Sequence, residues 1–309
     1  MEVGVLGLGA VGTSLLYRFV QGLGRATAIV RRRSLGRVSR GLELVDVDGS
    51  RHRFSPTRIV VFEDLCEEAV EGLEAVFVCT KAYDLVEALE RLRRASERLC
   101  IATLQNGFDP HGEALKVFGP RAVHVVTTIA AARIGDSAVR VSSWGRFFVG
   151  SRLGATGCVE VVAEVLRRAS LEVEIVKNID ERIWRKLAVN ACINPLTALL
   201  RVRNGALRME PLYGLCRAIV EEVAEVAKRL GVDVGNVVDD LDRILESTAN
   251  NVSSMLQDVL AGRRTEIDWI NGAVARLGKR VGVPTPLNEA MWRLVKALEV
   301  LGGGEHGLQ

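Results

Sequence analysis

Glu2-Val3-Gly4-Val5-Leu6-Gly7-Leu8-Gly9-Ala10-Val11-Gly12 is the stretch whose reading decides the fold of this chain. Its apolar run from Val3 to Leu6 reads as a buried strand and passes straight into Gly7-x-Gly9-x-x-Gly12, after which Thr13 to Gln21 reads as a helix packed back on the strand. Gly7 and Gly9 allow a tight turn and close approach of a pyrophosphate, and Gly12 allows helix and strand to touch. The phosphates would meet the positive end of the helix, so Gly7, Leu8, Gly9, Ala10, Val11 and Gly12 are candidate cofactor contacts. The plainer reading is a tight turn in an α/β protein, and the order strand, glycines, helix argues against it.

Working outward, Ala26 to Val30 reads as the second strand and runs into Arg31-Arg32-Arg33. An acidic residue near this point binds the ribose 2′-hydroxyl of NAD, whereas arginine accommodates the 2′-phosphate of NADP. Arg31 therefore favours NADPH, with NADH use and a merely solvated basic turn as the alternatives. Leu42 to Arg53 alternates around Asp48-Gly49, a hairpin signal that suggests an insertion in the sheet. Ala75 to Thr80 reads as a buried strand ending at Lys81, and Leu99 to Leu104 as another ending in Gln105-Asn106-Gly107. Ligands collect beyond the carboxyl ends of such strands, which makes Lys81 and Asn106 candidate contacts; a solvated lysine and a simple turn are the competing readings. Val123 to Ile129, Val139 to Trp144, Phe147 to Gly150 and Glu172 to Val176 continue the strand character, with a helix over Val159 to Ala169.

After Lys177 the character changes to helices, so residues 1–177 are expected to form a Rossmann-type α/β domain and 178–309 an all-α domain ending in a frayed tail, Gly302 to Gln309. Leu212 to Leu230, Val237 to Ala249 and Glu266 to Val281 are all amphipathic. Within Ile183 to Thr197, the residues Lys186, Asn190 and Asn194 recur at i, i+4, i+8, advancing about 40° each and forming one polar stripe among Leu187, Val189 and Ile193. Burying two amides and an ammonium costs several kcal/mol unless partners are supplied. A polar ligand would supply them; so would neighbouring helices, with Lys186 reaching to water.

The chain has 309 residues, 48% apolar and 26% charged, with a net charge of +3 and interspersed signs, which excludes an extended nucleic-acid surface. No apolar run reaches the ~20 residues of a membrane span, and the strand at Val3 leaves no room for a leader, so a cytoplasmic location is expected. Of the 41 basic residues only seven are lysines, so an ammonium at Lys186 is notable. The six cysteines show no metal-binding spacing; neither metal nor disulfide is expected, and Cys79 and Cys100 read as reduced core thiols. A helical domain with exposed faces leaves a homodimer open.

A second polar block runs from Asn251 to Asp258 and on through Arg264-Thr265-Glu266-Ile267-Asp268-Trp269-Ile270-Asn271-Gly272, where Thr265 is placed to cap a helix whose dipole Glu266 and Asp268 favour. With this block the chain strongly resembles the ketopantoate reductases over essentially its whole length. The resemblance rests on Gly7-x-Gly9-x-x-Gly12, Lys81-Ala82, Gln105-Asn106-Gly107, Trp184-x-Lys186-x-x-x-Asn190-x-x-x-Asn194-Pro195-Leu196-Thr197 and Ser253-Ser254-Met255 followed by the block from Arg264 to Gly272. It implies a C-terminal domain of 6-phosphogluconate-dehydrogenase-like architecture, an active site in the cleft between the domains, and NADPH-dependent reduction of ketopantoate to (R)-pantoate on the way to pantothenate and coenzyme A. It also implies that Lys186 is the general acid, that Glu266, Asn190 and Asn194 hold the substrate's hydroxyl end, and that Asn106 and Ser254 lie in the substrate site. Arg31 and Lys81 would reach the 2′-phosphate, with Asn106 and Glu266 also near the cofactor. A reductase of another branched 2-keto acid and a non-catalytic NADP(H) sensor are the rival readings.

Overall fold

A computed structural model describes residues 1–302. Twelve strands run in the order β1 Val3–Leu6, β2 Ala26–Val30, β3 Leu42–Val45, β4 Arg51–Phe54, β5 Arg58–Val61, β6 Ala75–Val78, β7 Cys100–Thr103, β8 Ala122–Thr127, β9 Ala130–Arg133, β10 Ala138–Ser143, β11 Arg146–Gly150 and β12 Glu172–Ile175. The α-helices are α1 Ala10–Leu23, α2 Leu35–Ser39, α3 Glu67–Val70, α4 Leu85–Ala95, α5 Pro110–Phe118, α6 Gly157–Arg168, α7 Ile179–Leu200, α8 Leu212–Arg229, α9 Val237–Ser247, α10 Ser254–Leu260, α11 Asn271–Val281 and α12 Pro286–Gly302. No helix among the described residues is long and apolar enough to cross a membrane.

The chain divides into two compact units, Met1–Gln105 with Pro110–Ile179, and Asn106–Asp109 with Asp180 onward. In the first, eight strands form a sheet in the order β12-β11-β8-β7-β6-β1-β2-β5. All its pairs are parallel except β8 with β11. The central strands β1, β6 and β7 are buried at every position, as a sheet covered on both faces requires. β1 lies between β2 and β6, so the glycine turn that follows it is flanked by the carboxyl ends of both. The second unit is helical, with a core of residues such as Trp184, Leu187, Ile219, Val223, Leu241, Ile267 and Val295.

Four expectations are corrected. The Asp48-Gly49 hairpin does form, but β3 and β4 belong to a separate four-stranded sheet, β4-β3-β10-β9, and are not inserted in the main one. β5 and β9 complete the two sheets as edge strands absent from the sequence reading, β5 despite the β-branched run Ile59-Val60-Val61 and β9 because its Ala-rich run 130–132 gives little strand signal. The helix read over Glu266 to Val281 begins only at Asn271; Glu266 to Ile270 make a turn in which the amides of Trp269 and Ile270 both donate to the Glu266 carbonyl. Thr265 therefore caps no helix, and its hydroxyl accepts from Ile267 N and donates to Glu299. Of the tail, Gly302 is the last residue of α12, and 303–309 lie outside the described residues.

The fourth correction is chemical. Cys100 and Cys158 form a disulfide with Cα atoms 5.3 Å apart, contrary to the expected reduced thiol at Cys100. Periodicity reads only neighbours, whereas α6 packs on β7 and places the second residue of the helix over the first of the strand. Disulfides are uncommon in reducing compartments, so the bridge weighs against inferring the compartment from composition alone. It closes a separation of 58 residues. Reduction, or Cys100→Ser with Cys158→Ser, is expected to lower stability by roughly 2–4 kcal/mol, measured by denaturant unfolding with and without reductant.

Candidate active site

The first unit supplies a cradle of backbone. Gly7 has φ +91°, and a Cβ there would lie 2.9 Å from Thr80 N; at Gly12 it would lie 2.0 Å from the Gly7 carbonyl oxygen. A Cβ at Gly9 would meet nothing within 4 Å, so the turn is packed on its sheet side and open on the other. Gly9 is the N-cap of α1, with no side chain capping it and no acid in the first turn. Open amides at a positive helix end suit a pyrophosphate. Arg31 follows β2 and Lys81 precedes a short turn after β6, Ala82–Asp84. Arg31 is not held in reserve: its Nη2 donates to Asp84 at 3.2 Å and to Glu87 at 2.9 Å. Sequence reading passed over Arg37, whose guanidinium donates to the Asp136 carbonyl at 2.8 Å and reaches the Leu8 carbonyl of the glycine turn at 3.4 Å. Its signal would have been a further arginine within one short helix of the Arg31 run.

The second unit carries the polar stripe. α7 opens with Asp180 and Glu181 in its first turn, which complement the helix dipole, and buries Trp184, Leu187, Ala188, Ala191 and Cys192. The opposite choice of partners never arises for the stripe. Among the described residues, Lys186 Nζ makes no hydrogen bond or ion pair, and neither do the side-chain amides of Asn190 and Asn194, although Asn194 is only 4% exposed. Among the described residues neighbouring helices thus do not satisfy the two amides, which was one half of the competing reading; the other half, Lys186 reaching to water, is compatible with its half-buried side chain. Part of the Lys186 side chain still touches solvent, yet its surroundings are dense, and burial lowers its pKa to about 8 against a smaller opposing pull from Glu266.

Glu266 is 6% exposed and sits at the start of the turn preceding α11. Asn106 Nδ2 donates to its Oε2 at 3.4 Å. The segment bearing Asn106 is held to the same turn by Phe108 N, which donates to the Trp269 carbonyl at 2.8 Å. Gly107 makes that approach possible: at φ +91° its Cβ would lie 2.3 Å from the Trp269 oxygen. Ser254 is the exposed first residue of α10, whose N-cap Ser253 accepts from Leu256 N at 3.1 Å. Thr197 Oγ1 donates to the Ile193 carbonyl at 2.6 Å, so the 2.7 Å bond between Thr197 and Ser253 has Ser253 as donor. This directed chain ties the start of α10 to α7, and the sequence reading assigned neither hydroxyl a role. The structure therefore gathers Lys186, Asn190, Asn194, Ser254, Glu266 and Asn106 in one unit; Gly7 to Gly12, Arg31 and Lys81 lie in the other.

A doubly wound parallel sheet opening on a glycine turn, joined to a helical unit that sets an ammonium near a carboxylate, is the build of a two-domain Rossmann-type oxidoreductase. The chain belongs to the ketopantoate reductase family: residues 3–154 match the model described as ketopantoate reductase PanE/ApbA, and residues 178–299 match its C-terminal counterpart. It is 33% identical over 301 residues to the 2-dehydropantoate 2-reductase of Archaeoglobus fulgidus, covering 96% of this chain and 98% of that one. The enzyme of the same name from Pyrobaculum aerophilum is 34% identical over 299 residues, covering 96% and 98%. Among solved structures, a PanE/ApbA family ketopantoate reductase from Ralstonia eutropha aligns with TM-score 0.87 at 26% identity, covering 98% of this chain and 100% of that one. A D-mandelate dehydrogenase solved with NADH and anilino(oxo)acetate aligns with TM-score 0.90 at 24% identity over 98% and 100%.

Proposed function

We propose that the protein reduces 2-dehydropantoate to (R)-pantoate with a nicotinamide cofactor, NADPH before NADH. The observation that carries this reading is the stripe on α7, where the Lys186 ammonium, close enough to Glu266 to feel its charge, and the amides of Asn190 and Asn194 have no hydrogen-bond partner among the described residues. Half-buried and buried polar side chains left without a protein partner are free to complete their hydrogen bonds with a ligand. A 2-keto acid with a C4 hydroxyl matches the set: the ammonium faces a ketone oxygen, and Glu266, Asn190 and Asn194 take the hydroxyl.

The cofactor, when bound, supplies hydride to the ketone carbon. Lys186 stabilises the negative charge that develops on the C2 oxygen only in the transition state, then gives that oxygen a proton, so that ketone, hydride and proton make the alcohol. Its lowered pKa suits this task, because the ammonium stays largely protonated at pH 7 yet releases its proton more readily than an ordinary lysine. Asn106 orients the Glu266 carboxylate, and Ser254 offers a hydroxyl at the open start of α10. Gly7 to Gly12 would hold the pyrophosphate of the cofactor, and Arg31 with Lys81 would take its adenosine end.

The test is initial-rate oxidation of NADPH and of NADH with 2-dehydropantoate, with a 2-keto acid lacking the hydroxyl, and with phenylglyoxylate, the keto acid matching the mandelate-type neighbour. Preference for phenylglyoxylate would replace the proposal with an aryl 2-keto acid reductase. Arg31→Ala is expected to raise KM for NADPH about tenfold or more and leave NADH nearly untouched, because it removes a charged contact worth about 1.5–3 kcal/mol. The Asp84 and Glu87 carboxylates that Arg31 now engages would also stand unopposed beside the phosphate. Equal KM changes for both cofactors would remove Arg31 from the phosphate site.

A further inference from the structure

Helix α7 contains a proline at 195, directly after Asn194. Proline has no N–H, so the carbonyl four residues earlier, that of Ala191, loses its intrahelical donor. Ala191 is fully buried, and water cannot take the donor's place. The Asn271 side chain does: its Nδ2 donates to the Ala191 carbonyl oxygen at 2.8 Å across 80 residues of sequence.

The amide of Asn271 is itself locked. Its second Nδ2 hydrogen goes to Asn288 Oδ1 at 3.0 Å, and Asn288 Nδ2 donates in turn to the Ile219 carbonyl at 3.2 Å and to Glu222 Oε2 at 2.8 Å. Glu222 also accepts from the backbone N of Leu287 and of Asn288, at 2.9 Å each. Asn271 and Asn288 are both completely buried. Two acceptors on one nitrogen fix which end of the Asn271 amide faces α7. The bond consequently joins α7 to a rigid frame of α8, α11 and α12.

Asn271 is also the first residue after the Glu266 turn, which is closed by Ile270 N donating to the Glu266 carbonyl and Gly272 N donating to the Ile267 carbonyl. Ala191 lies on α7 between Asn190 and Asn194. The substituted carbonyl is thus the point where the helix bearing Lys186, Asn190 and Asn194 is pinned to the segment bearing Glu266. We infer that Asn271 is a positioning residue, standing in for the backbone N–H that Pro195 lacks and so setting the register between Glu266 and the polar stripe of α7. This rests on the proposed reductase reading for its consequence, while the pinning itself does not.

The two residues make a suppressor test available. Asn271→Leu keeps similar bulk and removes both donors; Pro195→Ala restores a backbone N–H to the Ala191 carbonyl. In the full-length protein, Asn271→Leu is expected to lower kcat with 2-dehydropantoate by about 10- to 100-fold, as a sub-ångström to ångström misplacement of the site does. NADPH binding, read by fluorescence titration, should be unchanged. The alkaline limb of kcat/KM should move to lower pH, since a displaced Glu266 no longer holds the Lys186 pKa up against burial. Pro195→Ala in the same chain should recover most of the kcat loss and return the limb.

Wild-type kcat and pH profile in folded Asn271→Leu would overturn the inference, and so would a defect that Pro195→Ala leaves untouched. Should Asn271→Leu alone not fold, the double variant decides, because the inference requires it to fold and turn over. Thermal unfolding of wild type, both single variants and the double variant needs no substrate: Asn271→Leu must cost less Tm in the Pro195→Ala background. Absence of that coupling refutes the pinning. Coupling in a protein that does not reduce 2-dehydropantoate refutes the reductase reading alone.

Discussion

Lys186→Ala is expected to lower kcat by about 10²- to 10⁴-fold while leaving NADPH affinity nearly unchanged. The ammonium is assigned charge that exists only in the transition state, so its loss falls on turnover and not on cofactor binding. Direct titration with NADPH alongside steady-state kinetics separates the two. Lys186→Arg should be nearly as poor, since a guanidinium holds its proton far above pH 8 and does not superpose on the ammonium. In the wild type, kcat/KM should be at its plateau where Lys186 is protonated and fall as pH rises through about 8, the value to which burial brings this lysine. A profile flat to pH 10 would remove Lys186 from the proton transfer.

Glu266→Gln should act twice. Glu266 is the group that raises the Lys186 pKa against burial, so removing its charge lets burial act alone. The alkaline limb should therefore move to lower pH, and a limb moving upward would contradict the electrostatics of the pair. The same substitution should weaken 2-dehydropantoate by the ~1–3 kcal/mol of a lost charged hydrogen bond, or about 5- to 150-fold in kcat/KM. A keto acid without the hydroxyl should be almost indifferent. Equal losses with both substrates would show that Glu266 serves the fold, for instance through the Asn106 segment that donates to it.

Much of the scaffold was legible because it obeys local rules. The run Val3 to Gly12 carries strand, glycine turn and helix start within ten residues, and the periodicity of Leu212 to Leu230 marks a helix without reference to anything else. The stripe of Lys186, Asn190 and Asn194 follows in the same way from helical geometry. The turn at Glu266 was misread as helix because Glu266, Asp268 and the apolar pattern after them satisfy helix propensities. What breaks the helix there is tertiary: Thr265 is bound to Glu299, Asp268 accepts from Trp292 Nε1, and the Trp269 carbonyl accepts from Phe108 N.

The sequence by itself determined the fold class, the placement of the glycine turn and which polar residues share a face, since each depends on spacing along one element. Only the tertiary structure decided which of those residues keep their polar atoms unspent. Arg31 meets Asp84 and Glu87, Cys100 meets Cys158, and Asn271 meets the carbonyl that Pro195 leaves open, while Lys186, Asn190 and Asn194 meet no partner among the described residues. Pairings of this kind join positions tens of residues apart, and whether a buried donor finds an acceptor depends on packing distances that no local pattern encodes.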